Sequence, residues 1–169
     1  MSTNIVQSEK LTVWDENIKF EMDRDWSILD SYNRETGWSY YKYISNEPED
    51  KNSESTSKSD YPAIIQVYYE KDIKESQTVE EMREKIERYI QDKLVPDIYY
   101  INEGNTDRGY KLINAKIQYL SEEYVETEIL YYLVDNDRII YITAVTYNQD
   151  DNEELEEYIN DLANSAQWE

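Results

Sequence analysis

Residues 124–134 read YVETEILYYLV, and the reading of this stretch decides the fold. Taken at every second position it separates into two sets. Val125, Thr127, Ile129, Tyr131 and Leu133 form one; Tyr124, Glu126, Glu128, Leu130, Tyr132 and Val134 form the other. Successive strand residues point to opposite faces of a sheet, so the first set is a core face and the second a half-wet one. The tyrosine doublet then puts one ring on either side. Doublets recur at Tyr40, Tyr68 and Tyr99, each inside an apolar stretch, which places four strands in one sheet. One face of that sheet is fully covered and the other only partly, a boundary that suits the apolar ring and polar hydroxyl of tyrosine.

Working outward, the polar turn Asp135 to Asp137 leads to RIIYITAVTY from Arg138, and SEE joins the quoted stretch to YKLINAKIQYL from Tyr110. In the latter, Ile113, Ala115, Ile117 and Tyr119 oppose Leu112, Asn114, Lys116 and Gln118. DIYYIN from Asp97 precedes it. Connections this short make antiparallel hairpins, a meander in place of βαβ crossovers. Earlier in the chain, Lys10 to Trp14 and Asn17 to Met22 alternate as an opening hairpin, with Ile18, Phe20 and Met22 on one side. Trp38 to Ile44 and Tyr61 to Glu70 are further strands, and DRDWSIL around Trp26 is a turn or a short helix.

Two segments have helical spacing instead. Thr78 and Glu81 stand at capping-box distance ahead of an apolar stripe of Val79, Met82, Ile86, Tyr89, Ile90 and Leu94, and Pro96 ends it. From Asp151 or Asn152, a second stripe joins Leu155, Tyr158, Ile159, Leu162, Ala163 and Ala166. Its Glu153, Glu154, Glu156, Glu157 and Asp161 fall mostly on other faces, and the acids of the first turn meet the positive end of the helix dipole. By these stripes alone, both helices close one side of the sheet. The 169 residues fit one domain, with a flexible end at residues 1–9. Ser45 to Asp60 lacks any large apolar residue and reads as a mobile polar loop inserted at one edge of the domain.

The order of opening hairpin, strand, helix, four-strand antiparallel run and closing helix resembles the Mog1/PsbP-like fold over roughly Leu11 to Trp168. The resemblance rests on DNDRIIYITAVTYNQDDNEELEEYINDLANSAQW at the end of the chain. It implies an α+β fold, an antiparallel sheet of about six to seven strands flanked by helices as an α/β/α sandwich. It also implies a non-catalytic binding or accessory role, because members include partners of a small GTPase, photosynthetic extrinsic subunits and bacterial lipoproteins. There are no catalytic residues to carry over. The N-terminal Cys of the lipoprotein members has no counterpart here.

Composition narrows the chemistry. The chain has neither Cys nor His, which removes thiol and Ser-His nucleophiles, HExxH sites and ordinary zinc centres. Its net charge of −21 disfavours nucleic acid and anionic lipid surfaces. No run of about 18 apolar residues is present, so the chain is expected to be soluble. A lipidation or export signal in the native gene would make it the soluble part of a bacterial lipoprotein; localisation stays open. From Ile117 onward 14 acids face one base, Arg138, a balance that attracts a basic partner or cations. Weak divalent-cation binding is a candidate role for Asn102 to Gly109 or Asn148 to Glu154, although neither has EF-hand spacing. Their structural readings are a turn and a helix cap.

No catalytic residue or cofactor is assigned; Glu126 and Glu128 are the best carboxylate pair, better read as exposed or interface-facing. The candidate partner surface combines Tyr124, Glu126, Glu128 and Tyr132 with Glu153, Glu154, Glu156 and Glu157. Aromatic anchors ringed by carboxylates suit a protein partner with a basic surface. A second reading makes the protein an immunity-like inhibitor of a basic toxin or nucleic-acid-binding protein.

Overall fold

The computed structural model describes residues 10–14, 18–30, 37–45, 47, 57–70, 78–92 and 96–168. Its strands are β1 (Lys10–Trp14), β2 (Ile18–Asp23), β3 (Ser27–Asp30), β4 (Gly37–Lys42) and β5 (Ala63–Glu70). After the helix α1 (Val79–Asp92) come β6 (Ile98–Asn105), β7 (Lys111–Leu120), β8 (Val125–Asp135) and β9 (Arg138–Thr146). The helix α2 (Asn152–Ser165) and a short β10 (Gln167–Trp168) follow. Seven strands form one antiparallel sheet in the order β3-β4-β5-β9-β8-β7-β6. The α+β architecture and the strand number agree with the expectation, and all four tyrosine doublets lie in this sheet.

Local chemistry explains the joints. Asn136 adopts φ 54° in the β8–β9 turn, a left-handed conformation that asparagine tolerates. The Thr78 hydroxyl accepts from the Glu81 amide at 3.2 Å, so the expected cap on α1 forms. Asn148 accepts from the Asp150 amide at 3.0 Å ahead of α2.

Both sheet faces carry cores, fed by alternate residues of the same strands. On one face Leu155, Ile159, Leu162 and Ala163 of α2 pack with Ile129, Tyr131 and Leu133 of β8, Ile140 and Ile142 of β9, and Ile18, Phe20 and Met22 of β2. On the other, Met82, Ile86 and Ile90 of α1 meet Ile113, Ala115 and Ile117 of β7, Leu130 and Val134 of β8, and Ile139 and Tyr141 of β9.

The helices therefore lie on opposite faces, against the stripe-based expectation that both close one side. Phase along β8 decides the matter: its odd positions bury under α2 and its even positions under α1. The opening hairpin is also displaced from the expected single sheet. Gln167 and Trp168 pair with Lys19 and Ile18 in a separate three-stranded sheet, β1-β2-β10. Three apolar residues on one side of β2 make it a lid over the α2-side core, not an addition to the main sheet's edge. The stretch around Trp26 is a turn followed by β3. Trp26 is buried edge-on against Tyr158 of α2 at 5.9 Å, which anchors this segment to the helix.

Of the expected polar loop, Ser45 accepts from the Asn148 side chain at 2.9 Å and Lys58–Asp60 form one 3-10 turn. Residues 46 and 48–56, like the expected flexible end at 1–9, lie outside the described residues. Among the described residues no helix is long and apolar enough to cross a membrane.

Candidate functional site

The two faces differ in how much of the sheet they cover. Six gaps at about 4.8 Å make seven strands about 29 Å wide, whereas a helix with its side chains is about 10 Å across. On the α2 side the small sheet supplies the remaining cover. On the α1 side, among the described residues, the core contains α1 alone over β7, β8 and β9. The outward residues of β5 stay accessible: Gln66, Tyr68 and Glu70 are exposed, while Ala63, Ile65, Val67 and Tyr69 are buried toward α2.

A concavity of about 460 Å³ occupies this half-face beside α1. Ile64, Gln66 and Tyr68 form one wall, Thr143 and Val145 the floor, and Glu128, Tyr132 and Tyr89 the wall below the helix. Tyr68 stacks on Tyr141 at 4.7 Å, and Tyr132 meets Tyr141 edge-on at 4.8 Å. Tyr141 donates to Glu70 Oε2 at 3.3 Å. Glu128 is only 8% exposed and accepts from the Tyr89 hydroxyl at 3.2 Å through each carboxylate oxygen.

Glycine has a role in this arrangement. Gly37 of β4 lies opposite Tyr68, and a Cβ there would stand 2.9 Å from Tyr68 Cβ and 3.0 Å from the Val67 carbonyl oxygen. Only a residue without a side chain allows so close an approach.

Burial raises the phenol pKa values of Tyr68, Tyr132 and Tyr141. The Glu70 carboxylate adds to the effect at Tyr68 and Tyr141, and Tyr68, Tyr89 and Glu128 add to it at Tyr132. These hydroxyls stay protonated at neutral pH and act as hydrogen-bond donors, not as phenolate nucleophiles.

The sequence-derived candidates divide between the two faces. Tyr124, Glu126, Glu128 and Tyr132 share the α1 side by the alternation of β8. At the far end of that face, Tyr124 meets Tyr147 edge-on at 5.6 Å, and Lys58 Nζ donates to the Tyr124 hydroxyl at 3.2 Å. Glu126 is half-buried and acts electrostatically on Lys58 and Tyr147. The α2 glutamates lie on the opposite side. Glu153 and Glu157 are exposed, and Glu154 accepts from Tyr158 at 3.1 Å.

Glu156 is engaged within the fold, accepting from Tyr100 at 2.7 Å and pairing with Lys116 at 3.0 Å. Partial burial works to raise its pKa, but the bonds from Tyr100 and Lys116 outweigh that and lower it. The eight candidates thus form two surfaces separated by the sheet. Tyr68, Glu70, Tyr89 and Tyr141 escaped the sequence reading. For Tyr68 and Glu70 the signal was the second phase of YPAIIQVYYE, where Ile64, Gln66, Tyr68 and Glu70 mix apolar and polar character.

The two candidate cation segments act as a turn and a cap. Strand β6 runs on to Asn105, and the Gly109 amide then donates to the Thr106 carbonyl at 2.9 Å, with Gly109 at φ 89°. Asn148 to Glu154 holds the 3-10 turn Gln149–Asp151, capped by Asn148, that leads into α2. Among the described residues no group of three or more acids is placed to hold a metal ion.

No family model matches the sequence, and no curated protein matches it. Solved structures do. Cyanobacterial PsbP of Synechocystis is similar over 100% of this chain and 98% of its own, with a TM-score of 0.61 at 9% identity. The Ran-binding protein Mog1p of Saccharomyces cerevisiae is similar over 95% and 96%, with a TM-score of 0.61 at 8% identity.

The fold is Mog1/PsbP-like. LpqN, involved in cell envelope biogenesis of Mycobacterium tuberculosis, is a further Mog1/PsbP-like neighbour, similar over 95% and 90% with a TM-score of 0.59 at 12% identity. Identities this low speak for the shared fold alone. Within this Mog1/PsbP-like frame, the groove offers aromatic faces, phenol oxygens that can accept and the Glu128 carboxylate, a set suited to recognition of positive charge.

Proposed function

We propose that this protein is a non-catalytic binding or accessory module that docks a protein partner with a basic surface on the half-face beside α1. The observation that carries the reading is the groove itself: a concavity of about 460 Å³ with Tyr68 38% exposed on its rim and Glu128 in its wall. Tyrosine anchors contacts at low entropic cost, and carboxylates select a cationic surface. Tyr124, Glu126, Glu128 and Tyr132 belong to the contact face in this reading. Glu153, Glu154 and Glu157 act at a distance, raising the encounter rate through the field of a −21 chain. Support from the fold is indirect: Mog1p, of the same architecture, is a Ran-binding protein. Absence of His and Cys removes the usual nucleophile and base pairs, in keeping with a binding role.

The test is site-specific photo-cross-linking in the source cell, with the photoreactive residue at Gln66 in the groove or at Glu157 on α2. A protein adduct from Gln66 that fades at raised salt and with Tyr68→Ala is expected, since exposed charge pairs are screened. Adducts from Glu157 alone, or Gln66 adducts indifferent to both changes, would reject the reading.

A further inference from the structure

The chain itself shows how it holds a primary amine. Lys58 Nζ sits 4.8 Å from the Tyr124 ring centroid and 5.2 Å from that of Tyr147, donates to the Tyr124 hydroxyl at 3.2 Å, and has Glu126 acting on it electrostatically. Lys42 Nζ repeats the arrangement in another part of the molecule. It lies 4.8 Å from the Tyr158 centroid, donates to the Tyr158 hydroxyl at 3.1 Å, and pairs with Asp25 at 3.5 Å. In both places the elements are one or two tyrosine faces, a phenol oxygen and a carboxylate. The ring quadrupole attracts the ammonium, the phenol oxygen accepts a hydrogen bond from it, and the carboxylate balances its charge.

The groove brings the same elements together on β5, β8 and β9. Tyr68 and Tyr132 line it, each packed on Tyr141 with centroids 4.7 and 4.8 Å apart, and Glu128 is the buried carboxylate of its wall. Tyr124, Glu126 and Tyr147 stand farther along the same face, so the seat of Lys58 and the groove are two renderings of one pattern. We infer that the groove is a seat for a lysine side chain presented by the docked partner. Its stem lies along Ile64 and Val145, and its ammonium lies between the Tyr68 and Tyr132 rings and the Glu128 carboxylate, all of which line the groove. This deepens the proposed function and rests on it, since the lysine reaches the groove only if the partner docks on this face. The surplus of acids over bases, 38 against 17, supplies the charge complementarity that selects such an occupant.

The experiment titrates the whole protein, labelled at tyrosine, with the capped tripeptide Gly-Lys-Gly and with its norleucine analogue, which keeps the stem and drops the charge. Ring resonances of Tyr68, Tyr132 and Tyr141 are expected to shift with the lysine peptide, saturating with a Kd on the order of 1 mM at low salt. The norleucine peptide should bind roughly tenfold more weakly or not measurably. Glu128→Gln preserves shape and an acceptor for Tyr89 while removing the charge, and is expected to weaken the lysine peptide about tenfold. Tyr68→Leu, at an exposed ring, gives the same loss independently should the first variant disturb folding.

Equal shifts with both peptides would overturn the lysine seat, as would lysine-peptide shifts confined to rings outside the groove. Either result leaves the Gln66 cross-links standing as evidence for docking. Loss of those cross-links, with the peptide result intact, would instead remove the docked partner and keep the cation seat.

Discussion

The two faces of the main sheet are made from alternate residues of the same strands, yet one is sealed and the other is half open. Under α2 the buried set runs without a break from Tyr40 through Ile65, Val67, Ile142 and Leu133. Beside α1 the corresponding positions on β5 are Ile64, Gln66, Tyr68 and Glu70, which remain partly or fully exposed. The difference follows from width. One helix covers about two strand spacings, and only the α2 side has the small sheet as a second lid. Tyrosine is the residue that records this asymmetry. Within three doublets, the member toward α2 is buried (Tyr40, Tyr69 and Tyr131) and its neighbour toward α1 is more exposed.

The comparison breaks first if the sealed face is not the one that holds the molecule together. Ile159→Ala on α2, at a fully buried position, should cost about 3 kcal/mol in urea unfolding because it leaves a cavity between α2 and the sheet. A cost near zero would show that the α2 face is loosely packed. Next in size is Gly37→Ala, whose methyl meets Tyr68 Cβ and the Val67 carbonyl. It should destabilise by about 1–3 kcal/mol and displace the Tyr68 ring resonances, uncoupling the stack with Tyr141.

A smaller effect sharpens the role of the α2 acids. Lys116→Met should cost about 0.5–1 kcal/mol at neutral pH, discounted because Glu156 is about a third exposed. The Glu156 carboxyl is lowered in the folded state, so its stabilisation is full above the ordinary value of 4.5 and lost as pH falls through the lowered one. The difference between wild type and Lys116→Met should therefore shrink on acidification below pH 4.5; a difference constant with pH would remove the ion pair from the account. The smallest change in stability is expected for Tyr68→Leu, within about 0.5 kcal/mol, because Tyr68 is 38% exposed and leucine keeps an apolar side chain on Tyr141. Its binding phenotype should be the largest of the four.

Much of this was legible in the residues. Period-two alternation in 124–134 fixed the two faces of β8, and the stripes of α1 and α2 located both helices. Which face each helix takes was not legible, because a stripe states that a side is apolar and not which side of a sheet it meets. For the same reason Glu153 to Glu157 and Tyr124 to Tyr132 were grouped as one surface, although the sheet stands between them. Pairing of β10 with β2 joins residues about 150 positions apart and leaves no local signature. Glu128 was chosen for its phase, but its burial and its Tyr89 partner depend on where α1 crosses.

The central claim is that the open half-face, and not the acidic helix, meets the partner. The most direct measurement compares pull-down, by two doubly substituted proteins free of the photoreactive residue, of the partner that the Gln66 cross-link identifies: Gln66→Arg with Glu70→Arg, and Glu153→Lys with Glu157→Lys. All four positions are exposed, so both proteins should fold like wild type. The groove pair should lose the partner, and the helix pair should keep it with a modestly slower association. Retention by the groove pair together with loss by the helix pair would contradict it.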